Sequence, residues 1–264
     1  MFRVTSARLR GIDVHFEHGG SGPRLLFLNG SGSTLQQVDL LLQPFRERFE
    51  LLAHDQRGLG RTSVPDDVPT MRDYALDALA LADRVGWDRF RAVGISFGGM
   101  VAQELAVTAP DRVERLALLC TSPGGAGGAS YPLHELGPGE ASPTLMDTRF
   151  TPEWLADHPA DAAAVEAFAA RRGGSPSRGP ALQLEARRHH DVWDRLDRIT
   201  CPTLVAAGRW DGIAPLDRSK AIASRLASAE LRVYDGGHLF VLQDGRALPE
   251  ILAFLAGEDD GPAG

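Results

Sequence analysis

Among the side chains able to do covalent chemistry, one serine stands out by its neighbours. In "AVGISFGGMVAQ" Ser96 lies between Gly94 and Gly98, and Gly99 follows. A serine hydroxyl is a poor nucleophile until a base takes its proton, and that base needs a carboxylate to orient it. Two later segments offer these partners. "AAGRWDGIAP" carries Asp211, and "YDGGHLFVLQD" carries His238. The order Ser, Asp, His is that of one class of acyl-transfer triad. Asp217, Asp235 and Asp244 compete for the carboxylate role. Only Asp211 stands in the short loop directly after an apolar, strand-like run.

A triad needs a scaffold that brings distant residues to one edge. "FRVTSARLRG" and "IDVHFEHGG" predict two strands joined around Gly11, by alternation and β-branched content. From "RLLFLNG" onward, apolar strand-like runs alternate with segments of helical periodicity as far as "RVERLALLC". The alternation resumes with "PTLVAAG", "PLDRSKAIASRLA", "ELRVYDGG" and "GRALPEILAFLAG". This rhythm predicts an α/β fold, a mostly parallel sheet with helices on both faces. Parallel strands share a carboxyl edge, where ligands bind in open α/β sheets, so the three loops meet there. Ser96 falls where a strand becomes a helix. That sharp turn needs small neighbours, which Gly94 and Gly98 supply, and it sets the hydroxyl at a helix N-terminus.

Between residues 122 and 196 the rhythm breaks. A glycine- and proline-rich stretch precedes three helix-like pieces, "TPEWLADH", "DAAAVEAFAARRG" and "GPALQLEARRHHDVWDRL". The expected organisation is a core domain over 1–121 and 197–264 with a helical insertion over 122–196.

With these motifs in view, the chain resembles the α/β-hydrolase superfamily. "GISFGG" is similar to its nucleophile elbow, "GRWDGIAP" to its acid loop and "GGHLF" to its base loop. "LNGSG" resembles the oxyanion loop, and "DQRGLGRTS" the glycine-rich turn after the next strand. The resemblance implies an eight-stranded, mostly parallel sheet with an inserted helical cap. It implies no cofactor and no metal, and a small-molecule acyl substrate. Ser96, Asp211 and His238 would be catalytic. The backbone N–H groups of Phe97 and Ser31 would form the oxyanion hole, with Gly32 as alternative second donor. Asn29 stands where the commoner pattern has histidine, as in relatives resembling enol-lactone hydrolases. This points toward lactones or small esters. Asn29, Gly30, Gly32, Tyr131, Trp154, Trp210 and Phe240 are expected to line the substrate site, while most cap aromatics, Phe168 and Trp193 included, are expected to be structural.

Two rivals share the residues. A carbon–carbon bond hydrolase or a cofactor-free perhydrolase would use the same triad. The former would want a cationic clamp for a keto-acid, for which Arg187 and Arg209 are candidates. A ligand receptor that has lost turnover would keep the fold.

Other features carry less. His54-Asp55 has no partner nucleophile and is expected to buttress its turn. His189-His190-Asp191 is expected on a solvated surface, because adjacent helical residues face different ways. "GGAGG" lacks the lysine of a phosphate loop and reads as a hinge. Cys120 ends one strand and Cys201 precedes its expected neighbour, at opposite ends, which excludes a disulfide. A net charge of −7 offers no basic face for nucleic acid or anionic membrane. No apolar run approaches the ~18–20 residues of a membrane span, nor is there a signal-peptide core. A cytoplasmic location is expected, and the oligomeric state is left open.

Overall fold

A computed structural model describes residues 2–131, 149–160 and 177–258. An antiparallel pair comes first: β1 (Arg3–Leu9) and β2 (Ile12–Gly19). Gly11 between them has φ +84°, a left-handed turn conformation that costs glycine little. Strands and helices then alternate through β3 (Arg24–Leu28), α1 (Asp39–Arg48), β4 (Glu50–His54), α2 (Met71–Arg84), β5 (Phe90–Ile95), α3 (Phe97–Thr108) and β6 (Val113–Leu119). Next come α4 (Pro152–Asp157) and α5 (Arg178–Arg188), with no strand between them among the described residues. The last quarter holds β7 (Thr203–Gly208), α6 (Leu216–Arg225), β8 (Ala229–Tyr234) and α7 (Ala247–Ala256). The helix expected over 161–173, with Phe168, lies outside the described residues. "GPALQLEARRHHDVWDRL" is not one helix: α5 stops at Arg188, and Trp193–Arg198 forms a separate 3-10 turn.

All eight strands join one sheet in the order β1-β2-β4-β3-β5-β6-β7-β8. β2 runs antiparallel to β1 and β4, and every pairing from β4 to β8 is parallel. This is the α/β-hydrolase sheet that the resemblance implied. Its middle strands are apolar on both faces because helices cover both. Leu26, Leu28 and Ala92 face one core layer with Tyr74, Phe97 and Leu105. Their alternate neighbours Leu25, Phe27 and Val93 face the other, with Phe45, Leu252 and Leu255. A period of two places consecutive residues on opposite faces, which is why these strands read as unbroken apolar runs.

Local signals fix the helices. Thr70 and Asp73 form a reciprocal capping box at the start of α2. No described helix is long and apolar enough to cross a membrane. Cys120 and Cys201 are both free, at opposite ends of the neighbouring strands β6 and β7.

Candidate active site

Ser96 directly follows β5, Asp211 follows β7 by three residues, and His238 follows β8 by four. The parallel strands bring these loops to one sheet edge. There His238 Nε2 lies 3.0 Å from Ser96 Oγ, and His238 Nδ1 lies 2.7 Å from Asp211 Oδ2. An ionised carboxylate only accepts, so Nδ1 carries the proton and Nε2 is free to accept from the serine hydroxyl. Asp211 and His238 are buried, and Ser96 is partly open.

The turn at Ser96 is held against its preference. Its φ of +55° and ψ of −113° lie outside the regions open to most L-residues, a strain of about 1–3 kcal/mol that surrounding contacts must over-determine. Ser96 N–H donates to the Leu119 carbonyl at 2.9 Å, and Thr121 Oγ1 donates to the Ser96 carbonyl at 2.9 Å. A Cβ on Gly94 would stand 2.3 Å from the Gly98 carbonyl oxygen, and one on Gly98 would stand 2.0 Å from that of Leu28. The flanking glycines are therefore required by close backbone approach.

Asp211 divides its two oxygens. Oδ1 accepts the Ile213 and Ala214 N–H groups at 2.8 and 2.9 Å, leaving Oδ2 for His238. The competing carboxylates are engaged elsewhere: Asp217 with Lys220, Asp235 with Arg209, and Asp244 with Arg246 and the Asp235 N–H. Cys120, at the end of β6, lies beside the pair. A ligand atom from each of Cys120, Asp211 and His238 falls within 4.8 Å of the others, the one such group of three among the described residues. Burial and the Asp211 charge push the Cys120 thiol well above its ordinary value. It stays protonated, and the other two groups are spent on each other.

The loop after β3 packs on the elbow. A Cβ on Gly30 would lie 3.8 Å from Ser96 Cβ. Phe97 is the first residue of α3 and is fully buried, edge-on to Tyr74. The Gly32 N–H is already engaged, donating to Gln183 Oε1 at 2.8 Å. Gln183 Nε2 reaches Gln56 Oε1 at 3.2 Å, and Gln56 Nε2 donates to the Asn29 carbonyl at 2.7 Å. Two buried glutamines thus tie α5 to the loop, and sequence reasoning did not find them. No local pattern marks either of them, and the link is visible only once the partners are adjacent.

The expected substrate-site residues scatter. Asn29 is buried with its Nδ2 unpaired. Tyr131 is partly exposed, its N–H bonded to the Ile213 carbonyl at 2.8 Å. Trp154 stacks between Phe150 and His158, at 4.8 and 4.1 Å. Trp210 is exposed on the acid loop. Phe240 does not fit the expectation. It is fully buried and stacked on Tyr234 at 5.2 Å, because the 3-10 turn after His238 directs it into the core.

Asp55 does buttress its turn, accepting the Leu35 and Arg61 N–H groups at 2.7 and 2.9 Å. His54 is buried, and desolvation lowers its pKa, so it stays neutral. The surface reading holds for His189 and fails for His190. The helix has ended by then, and His190 turns inward to the Ser122 carbonyl at 3.2 Å. The glycines expected as a hinge are packed: a Cβ on Gly124 would meet the His190 carbonyl oxygen at 1.9 Å, and one on Gly127 would meet the Trp193 ring at 2.2 Å. A cleft of ≈490 Å³ is an open groove at the amino ends of β5–β7, lined by Arg89, Glu114 and Cys201 among others. It lies at the opposite sheet edge from Ser96 and holds no nucleophile–base pair.

A family model of the α/β-hydrolase fold matches residues 16–245. The chain is 29% identical over 252 residues to a poly(3-hydroxyalkanoate) depolymerase of Ectopseudomonas oleovorans, covering 89% of this chain and 84% of that one. It is 25% identical over 230 residues to 3-oxoadipate enol-lactonase 2 of Acinetobacter baylyi, covering 85% of each. The crystal structure of the enol-lactonase from Burkholderia xenovorans LB400 superposes with a TM-score of 0.81 at 21% identity, over 96% of this chain and all of that one, a likeness of fold. The chain belongs to the α/β-hydrolase fold family, and it is a hydrolase.

Proposed function

We propose that the protein cleaves a small to medium carboxylic ester or lactone through an acyl-enzyme on Ser96. The observation that carries this reading is the continuous contact from Ser96 Oγ through His238 to Asp211, at 3.0 and 2.7 Å. Ser96 Oγ attacks the acyl carbon as His238 Nε2 takes its proton. Asp211 keeps the imidazole in the right tautomer and stabilises its charged form. The N–H groups of Phe97 and Ser31 receive the negative charge that develops on the acyl oxygen. Ser31 is preferred over Gly32 because the Gly32 N–H is held by Gln183. His238 then returns the proton to the leaving alcohol. Water activated by the same imidazole releases the acid and restores Ser96.

We read the segment 122–196 as a cap over this site, one that would favour short to medium acyl groups. A relative that is by name an enol-lactonase supports the lactone alternative. A panel of p-nitrophenyl esters, lactones and keto-acids tests the reading, with Ser96→Ala as control. Esters or lactones should turn over, and Ser96→Ala should lower kcat by roughly 10³–10⁶-fold while the protein stays folded. Turnover above a tenth of wild type in that variant refutes the mechanism. Cleavage of keto-acids alone would favour the carbon–carbon rival. Failure to label with a fluorophosphonate would favour the receptor.

A further inference from the structure

One face of α5 is turned to the site. Gln183 on that face holds the Gly32 N–H, and Arg187 follows it by four residues, about one helical turn. Arg187 is only 7% exposed, yet neither its Nε nor its Nη2 has a hydrogen-bond partner. No described carboxylate compensates it. Burial alone acts on it, pushing its pKa down to about 10, so it remains a cation at neutral pH. A buried, unpaired charge is costly, and folded proteins rarely keep one. Arg209, the other candidate clamp, is already paired with Asp235 at 3.0 Å.

Arg187 borders a small cavity of ≈70 Å³, together with His190, Ser122, Ser130, Ala129 and Met100. That is space for about two waters, at roughly 30 Å³ each, or one carboxylate group. Its polar groups suit an anion. The Ser122 and Ser130 hydroxyls lie 2.6 Å apart. One donates to the other, which leaves one hydroxyl proton free for a ligand. His190 Nε2 faces a carbonyl and must be its protonated nitrogen, while burial pushes its pKa down to about 4 and keeps the ring neutral. Its Nδ1 is left an unpartnered acceptor that a water could serve. With His190 neutral, Arg187 is the uncompensated charge at the cavity, and it calls for a negative partner. Met100 follows Ser96 by four residues on α3, which puts the cavity wall about 6 Å along the helix from the nucleophile.

We propose that this cavity is an anion subsite, in which the Arg187 guanidinium pairs with a free carboxylate at the far end of the substrate's acyl chain. The favoured substrates are then esters or lactones of short acids that carry a second carboxylate. This deepens the ester-hydrolase reading above and rests on it. Arg187 is the specificity determinant for the acyl group.

The test compares matched substrates: p-nitrophenyl hydrogen glutarate and adipate against the neutral p-nitrophenyl butyrate and pentanoate. Wild type should favour the carboxylated member in kcat/KM by tenfold or more. Arg187→Gln should lower that preference at least tenfold, chiefly through KM. Free glutarate should compete with the carboxylated ester more strongly than chloride or inorganic phosphate does. Arg187→Met should unfold at an equal or higher temperature than wild type, which a guanidinium with a merely structural role would not allow. A wild-type preference for the neutral ester overturns the proposal. So does a preference unchanged in Arg187→Gln, or competition by phosphate equal to that by glutarate, which marks a free-anion site. If Arg187→Gln fails to fold, the wild-type preference and the glutarate competition decide. Calorimetry of glutarate with Ser96→Ala protein reads the subsite without turnover. Binding supports the proposal, and no binding overturns it. If neutral esters turn over through Ser96 but no preference is seen, the subsite alone fails. If no ester turns over, the ester-hydrolase reading fails.

Discussion

Gly98→Ala isolates the contribution of the elbow's geometry without touching any reacting group. The added Cβ would meet the Leu28 carbonyl oxygen at 2.0 Å and the Asn29 carbonyl oxygen at 2.6 Å. Real Cβ contacts stay beyond 3.0 Å, so the closer one is 1.0 Å too short. Both obstacles are backbone, and neither can rotate away. The start of α3 and the loop carrying Ser31 must therefore separate by about an ångström. In the proposed mechanism these are the two segments whose N–H groups converge on one oxygen. A misplacement of that size costs roughly 10²-fold in rate, and the overpacking costs about 1–3 kcal/mol in stability. The assay is kcat/KM on a short p-nitrophenyl ester, with urea unfolding of the same sample. Gly245→Ala, where an added Cβ meets nothing within 4 Å, is the control. Activity of Gly98→Ala within threefold of wild type would refute the reasoning, because the two donors would then not depend on this approach.

Other outcomes follow from the same contacts. Asp211→Asn should cut kcat by about 10²–10⁴-fold, since one amide oxygen cannot serve both the Ile213/Ala214 N–H groups and His238, while Asp217→Asn should stay within a few-fold in steady-state kinetics. Asp77→Ala should lose about 3–5 kcal/mol in urea unfolding, because it leaves the buried Arg57 guanidinium, now bonded at 2.6 Å through both Nε and Nη2, without its partner. Asp244 is held down to about 2 by Arg246 and by backbone N–H groups. Its stabilising contribution is complete above the ordinary carboxylate pKa and is lost as pH falls from about 4 toward 2. Urea midpoints measured across that range should fall less in Asp244→Asn than in wild type.

The parts of the fold legible in the sequence are those with local causes. Two-sided apolar runs such as "RLLFL" and "TLVAAG" mark strands covered on both faces; Ser96 and Asp211 sit one and three residues beyond such runs, and His238 four residues beyond the edge strand β8. Position after a strand sufficed to prefer Asp211 over three other aspartates. What stayed hidden depends on what covers a residue. His190 read as solvated because nothing local tells that the Ser122 carbonyl lies against it, and Arg187 could be named as a clamp candidate but not placed, because its burial depends on the Ser122–Ser130 segment. Phe240 looked like a site residue beside His238, but a single 3-10 turn sends it into the core. Gln183 and Gln56 are 127 residues apart, so their link to the oxyanion loop exists only once the sheet is assembled.

The neighbours β6 and β7 are separated in the chain by the 83 residues from 120 to 202. During synthesis at about 5–20 residues per second, β6 waits roughly 4–17 s before its partner leaves the ribosome. Over that interval the run Leu116–Leu119 presents an uncovered, wholly apolar strand edge, the kind that pairs with any other exposed strand. β8 pairs only with β7, so it cannot shield β6 by docking first. The inserted segment thus sets a period of vulnerability for the nascent chain. Lengthening it would extend that period in proportion and raise the demand for chaperones that hold unfolded strands apart.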